Sequence, residues 1–336
     1  CMVAGTNDWR QNHAAYNRGE MDKWAMANTP YSIGYVHEAD IPVQYKLAEA
    51  FTVADMYYES IMSSTAPNRV SWFSGTINPP KGSKVNGTNK HMGGPTLDNR
   101  DSVGCERTDS GKPFSCVPLR WKTVPEYLQE AGISWRVYQD KDNFGDDPLV
   151  MWKQYQTSAK KKGDLAQRGT SFPGLQKFFD DARDGKLPEV SYIVAPMQLS
   201  EHPPYMPMDG AWIQGEVAKA VMHGKNWDST ALIYSYDETG GWADHVVSPY
   251  PPQSEESEWI EDPYDKSNGI TPIGPGFRLP FYIVSPWTSG GHVFTEHAAH
   301  ESQIMFLEQW ALAHGKPFTS EAVSYTHLTL PTILLV

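Results

Sequence analysis

The chain has 336 residues and a formal net charge of −12, long enough to bury one large core and too acidic for a protein that meets a phosphate backbone with clustered Lys and Arg. Nucleic acid is therefore not the expected partner. With 27 glycines, 26 prolines and 12% aromatic residues, long structured loops and a loop-built active site are expected.

The chain opens at Cys1 with neither an initiator methionine nor a secretory leader, which reads as a sequence that has lost N-terminal residues. At the other end, VSYTHLTLPTILLV resembles a translated sequencing-library adapter and is far too short to span a membrane. Residues 322–336 are set aside as a non-native tail, which leaves 1–321 as one catalytic domain. No segment reaches transmembrane length, and no internal repeat is visible. Cys105 and Cys116 lie in the polar stretch RDSVGCERTDSGKPFSC, where a short disulfide loop would imply an oxidising compartment. The sequon Asn86-Gly87-Thr88 points the same way. The expected location is secreted, extracellular or in the cell envelope.

In chain order, the apolar run FTVADMYY (51–58) predicts a strand, and STAPNR (64–69) predicts a helix start. There Ser64 or Thr65 would cap, with Pro67 in the first turn where no N–H is needed. TVPEYLQEAG (123–132) is a helix ending at a C-cap glycine, SWRVYQD (134–140) a strand, and the 140s to 160s a long loop. GLQKFFDDARDG (174–185) is again a glycine-ended helix, VSYIVAP (190–196) a strand and GAWIQGEVAKAVMHG (210–224) an amphipathic helix. ALIYSYD (231–237) and FYIVSP (281–286) are further strands, separated by a proline-rich, acidic loop over 248–276; HESQIMFLEQWALAHG (300–315) is the last helix. Several strands lack clean alternation, which suits strands covered on both faces. Alternating strands and helices predict an α/β three-layer sandwich with a mostly parallel sheet, its ligand site beyond the carboxyl ends of the strands and both long loops over it.

At one such strand end Asp237 and Glu238 precede a glycine pair, and neighbouring carboxylates there suit a hard divalent cation. The plainer reading is a solvated turn and a helix cap. Asp244-His245 lies within reach of the same turn. Glu201 and His202 follow another strand end, with two prolines stiffening a histidine that could serve as acid or ligand. His297 and His300 have a ligand-compatible spacing but lack the base of HExxH, so zinc-protease chemistry is a poor fit. His13, His37 and His91 read as plain surface or loop residues.

The order STAPNR, SGT, SEHPP, YDETGGWADHV, LPFYIVSPW and HESQIMFLE resembles the bacterial and fungal phospholipase C / acid phosphatase family of phosphoesterases. The stretches DWRQNHAAYNRGEMDKW, YSIGYVHEADIPVQYKLAEAFTVAD and SWRVYQDKDNF resemble its non-haemolytic, phosphocholine-preferring members. The resemblance covers about residues 5 to 315. It implies an alkaline-phosphatase-like fold, one divalent metal, and a hydroxyl nucleophile at a helix N-terminus. Carried over, Thr65 both caps its helix and attacks phosphorus as nucleophile and metal ligand, Asp237 and Glu238 are metal carboxylates, and His202 and His245 are phosphate-side or acid/base groups. The Ala66 to Asn68 amides would offset phosphoryl charge, and Asn68, Arg69, Glu201 and His300 would line the substrate side. The family's first strand ends in a Glu-Asn pair that supplies two more metal ligands, and this chain begins after it. The implied substrate is a phospholipid or other phosphoester met in transient contact with a membrane surface. Two other readings stay open: an acid phosphatase acting on soluble monoesters, and a non-catalytic secreted binding protein of the same fold.

Overall fold

The computed structural model describes residues 5–81, 92–99 and 118–320; the expected Cys105–Cys116 disulfide, the sequon at Asn86, His91 and the tail from 322 lie outside these. The helices are α1 (Trp9–Tyr16), α2 (Trp24–Ala27), α3 (Pro42–Ala50), α4 (Thr65–Ser74), α5 (Val124–Glu130), α6 (Lys153–Lys160), α7 (Asp164–Gly169), α8 (Leu175–Asp184), α9 (Pro207–Met222) and α10 (His300–Ala313). The strands are β1 (Thr52–Ala54), β2 (Tyr57–Tyr58), β3 (Trp135–Tyr138), β4 (Val190–Ile193), β5 (Leu232–Ser235), β6 (Trp259–Glu261), β7 (Ile270–Pro272), β8 (Phe281–Val284), β9 (His292–Phe294) and β10 (Ala298–Ala299).

The result is a mixed α/β domain, and the five apolar runs all become strands. One sheet has the order β5-β8-β1-β9, and β3 pairs with β4 in parallel. The expectation of parallel central strands fails at β8, which is antiparallel to both β5 and β1. Its physical cause is the connection: no α-helix crosses back between residues 236 and 280, so β8 starts at the edge where β5 ended and must run the other way. The 140s to 160s likewise depart from a long loop, because α6 and α7 form there, anchored by Trp152 and Tyr155, both fully buried, with Gly169 of α7 against the Tyr155 ring. The 248–276 segment is partly ordered as the β6–β7 hairpin. That hairpin seats on α1, where His13 is buried rather than surface-exposed, its ring nitrogens 2.9 Å from Trp9 O and Pro272 O.

Helix α4 starts and ends for local reasons. Ser64, in extended conformation, is the N-cap residue, and Thr65 is the first helical residue, so the expected capping role of Thr65 passes to its neighbour. The Ser64 side chain does not close the cap; Asn99 Oδ1 accepts the Ala66 amide at 2.7 Å instead. Gly75, at φ 76°, ends the helix in the left-handed region. Val70 and Phe73 are buried in a core with Leu128, Trp135 and Val137. Full burial of each such side chain contributes about 1.5–3 kcal/mol and holds the helix start in register against the sheet.

Among the described residues β4 pairs only with β3, and β5 only with β8. Between them lies a cavity of about 850 Å³ lined by Ser191, Ile193, Leu232 and Tyr234, with Val217 of α9 and Leu307 of α10 among its walls. Val190 and Val194 donate their amides to the backbone of the β3 side. The alternate residues Ser191, Ile193 and Ala195 therefore turn their N–H and C=O toward the cavity.

Two backbone segments approach closely where 273–276 crosses 59–61. A Cβ on Gly274 would overlap Ser60 O, a backbone atom that cannot rotate aside. Gly274→Ala should therefore lower stability by about 1–3 kcal/mol, the usual cost of forcing a methyl into packed space. A chemical-denaturation midpoint equal to wild type would show that the two segments can separate freely.

Candidate active site

The site is built from the N-terminus of α4, the loop after β5, the loop after β4 and the turn at 143–147. Arg69, one turn beyond Thr65 on the same face of α4, joins three of them. Its Nε donates to Asp237 Oδ2 at 2.8 Å, while Nη1 and Nη2 donate to the Asp146 carbonyl at 2.8 Å and carboxylate at 3.1 Å. Burial opposes the guanidinium charge, and Asp146 and Asp237 overcome it. Burial raises the Asp146 carboxyl, and Arg69 opposes that shift.

Thr65 is half-buried, and its hydroxyl has no hydrogen-bond partner among the described residues. Pro67 has no N–H, so the Ala66 to Asn68 stretch offers two amides to a phosphoryl group, and that of Ala66 is already taken by Asn99. Glu238, next to Asp237, accepts the Gly240 amide at 2.5 Å; burial and then Asp237 push its carboxyl up to about 8. A second buried carboxylate, Glu59, feels both Asp237 and Glu238, and one of its oxygens has no partner.

The remaining expected residues divide. His202 lies at the mouth, its ring 4.7 Å from the Phe144 ring and its Nδ1 2.7 Å from Pro203 O. Glu201 is beside it but is tied inward, its Oε2 accepting from Tyr236 Oη at 2.8 Å and its Oε1 from Gln214 Nε2 at 2.7 Å. Asn68 is fully buried and spends its amide on Ile61 N and O at 2.9 Å each. His300 is buried with both nitrogens engaged, Nδ1 with Tyr57 Oη and Nε2 with Asp237 O, each at 2.8 Å. A neutral ring satisfies both by donating from Nε2 to the carbonyl and accepting at Nδ1, and burial lowers its pKa accordingly. Neither Asn68 nor His300 offers a polar atom to a ligand. His245 does not join the group: its side chain is 92% exposed beside Asp244, which is held by Arg278. Sequence reasoning missed Asp146, Glu59 and Tyr57. A charged residue inside the apolar run YYESIM was a signal for Glu59, whereas nothing local marks Asp146.

Asp237, Glu238 and Thr65 offer hard oxygen donors, and a part-buried carboxylate pushed to about 8 is what a divalent cation would relieve. The chemistry of the donor set fits such an ion. Among the described residues no three His, Cys, Asp or Glu side chains converge as a ligand group, so the set here is incomplete in number.

A hydroxyl at a helix start, a strand-end carboxylate pair and an arginine between them define a candidate hydrolytic centre for anionic esters. The chain belongs to the phosphoesterase family, whose model matches residues 3–312. It is similar to a non-hemolytic phospholipase C of Pseudomonas aeruginosa, 38% identical over 91% of this chain and 44% of that protein. A second non-hemolytic phospholipase C, from Burkholderia pseudomallei, is 33% identical over 89% and 44%, and phospholipase C B of Mycobacterium tuberculosis is 32% identical over 91% and 59%. The chain thus spans less than half the length of the first two relatives.

Glu201 carries a readable pH signature, because burial raises its carboxyl from 4.5 to about 7 against the bonds from Tyr236, Gln44 and Gln214. Between those values the folded protein binds more protons than the unfolded chain, so stability falls as pH rises through the window and is level above it. Glu201→Gln, fixed in the neutral shape, should fall less steeply over the same range in denaturant titrations. Equal slopes in the two proteins would contradict the burial-driven shift.

Proposed function

We propose that the full-length protein is a metal-dependent phosphodiesterase that cleaves phosphatidylcholine-type phospholipids to diacylglycerol and a phosphorylated head group. The observation that carries this reading is the Arg69–Asp237 bond, which ties the face of α4 bearing Thr65 to the strand-end carboxylates although 168 positions separate the two residues. Thr65, Asp237 and Glu238 would hold one divalent ion, which would neutralise phosphoryl charge and favour the threonine alkoxide. In the first step Thr65 Oγ1 forms a bond to phosphorus as the bond to the glycerol oxygen breaks, and the departing oxygen takes a proton from the His202 side of the mouth. Water then cleaves the phosphothreonine and releases the head group. Arg69 orients the phosphoryl oxygens and balances their charge.

The phospholipase C relatives supply the lipid substrate class. Contact with a membrane surface goes with that substrate, and the sequon and the Cys105–Cys116 pair support a location outside the cytoplasm; among the described residues no helix is long and apolar enough to cross a membrane. The finer fold reading is a three-layer sandwich whose mostly parallel sheet is completed by an N-terminal strand between β4 and β5. Its support is the slot between β4 and β5, together with Gly5, which packs on Gly241 in the loop that follows Asp237.

Thr65→Val keeps the shape and removes the oxygen, so kcat of the full-length enzyme on phosphatidylcholine should fall by several orders of magnitude, while Thr65→Ser retains part of it. Retention of more than about a tenth of wild-type kcat by the valine variant would exclude Thr65 as nucleophile. Turnover should also vanish with chelator and return with divalent metal.

The strand is tested separately by amide hydrogen exchange. Ser191, Ile193 and Ala195 should be protected in the full-length protein and exchange fast in the 336-residue chain. Fast exchange in both would leave the slot without a strand.

A further inference from the structure

Glu201 was expected to face the substrate, yet its carboxylate points into the protein. It links three elements, accepting from Gln44 Nε2 of α3 at 3.3 Å, from Gln214 of α9 at 2.7 Å, and from Tyr236 at the end of β5 at 2.8 Å. Gln214 is fixed in turn by the Tyr282 hydroxyl on its side-chain oxygen and the Tyr234 hydroxyl, at 2.5 Å, on its carbonyl. The carboxylate occupies space that exists only because residue 210 is glycine: a Cβ there would overlap the Glu201 side chain.

The backbone at Glu201 is held at φ 65°, the left-handed region that a residue with a Cβ enters only at a cost. Three hydrogen bonds to one carboxylate offset that cost and hold the turn. The turn has a consequence one residue later. It sends His202 back over Phe144, where it stands near enough to Asp146 to act on its charge.

We propose that Glu201 is a positioning residue: seated in the gap at Gly210, it locks the left-handed turn after β4 and thereby fixes where the His202 imidazole stands at the mouth of the site. Glu201 touches no reacting atom in this assignment. Its kinetic consequence rests on the acid–base reading of His202, whereas the placement of the ring does not.

The test reads ring placement and turnover separately. In proton–carbon correlation spectra of the full-length protein, with His202 assigned through His202→Asn, the His202 Cε1–H resonance should carry the ring-current shift of Phe144. That shift should collapse in Glu201→Ala and in Gly210→Ala, which expels the carboxylate, and persist in Glu201→Gln, which keeps the shape and the acceptor oxygen. Where the resonance moves, kcat should drop about tenfold or more with KM changed little, as expected for a displaced proton-transfer group. Tyr236→Phe removes a single bond and should give an intermediate shift, which keeps the question open to measurement if Glu201→Ala does not fold. A His202 resonance unchanged in Gly210→Ala and Tyr236→Phe overturns the proposal. A resonance that moves while kcat stays constant supports the positioning but removes His202 from the reaction.

Discussion

The contact on which the site depends is the part-buried bridge from Arg69 to Asp146 and Asp237. Removing one partner from such a bridge is costly, because the others are left as uncompensated charge in a poorly solvated place. That penalty makes the arrangement close to all-or-none: the α4 start, the turn at 143–147 and the end of β5 either assemble together or leave a carboxylate stranded. Arg rather than Lys suits the position, since a planar fork can serve two carboxylates and a carbonyl at once.

Around that bridge the protein uses neutral groups to hold charged ones. His300, kept uncharged by burial, donates to the carbonyl of Asp237 and accepts from Tyr57, whose ring stacks on Phe281 with centroids 4.1 Å apart. The strand-end carboxylates are thus aimed by a chain of contacts that runs back into the core of the β5-β8-β1-β9 sheet. Glu201 works similarly on the other side, with tyrosines and glutamines converging on one carboxylate. Polar networks of this kind are stable only when each member finds a partner, which is why they cluster where three elements meet.

The open slot between β4 and β5 stands in contrast. Both edges present backbone groups, and the side chains around them are largely apolar, which is the surface a further strand would cover. Its far end reaches Asp237 and Glu201, so whatever occupies it also shapes the reaction centre.

Residue pattern alone was enough for the mixed α/β class, the five strands and the principal helices, because apolar runs, turn residues and C-cap glycines act within a few positions of themselves. Motif order was enough for the family and for Thr65, Asp237 and Glu238 as candidates. Tertiary structure decided the rest. Strand direction at β8 depended on which edge a long connection leaves the chain, and the helices in the 140s to 160s on apolar surface that only the folded core supplies. Asn68, His300 and Glu201 are polar residues beside candidate catalytic motifs, and sequence cannot say whether such a side chain faces a ligand or the interior. Asn68 turns back on Ile61, seven positions before it, whereas His300 and Glu201 find partners in other segments, 243 positions away for Tyr57 and 157 for Gln44. The same holds for Asp146, whose significance comes from Arg69, 77 positions before it, and becomes visible only when the chain has brought the two within hydrogen-bond reach.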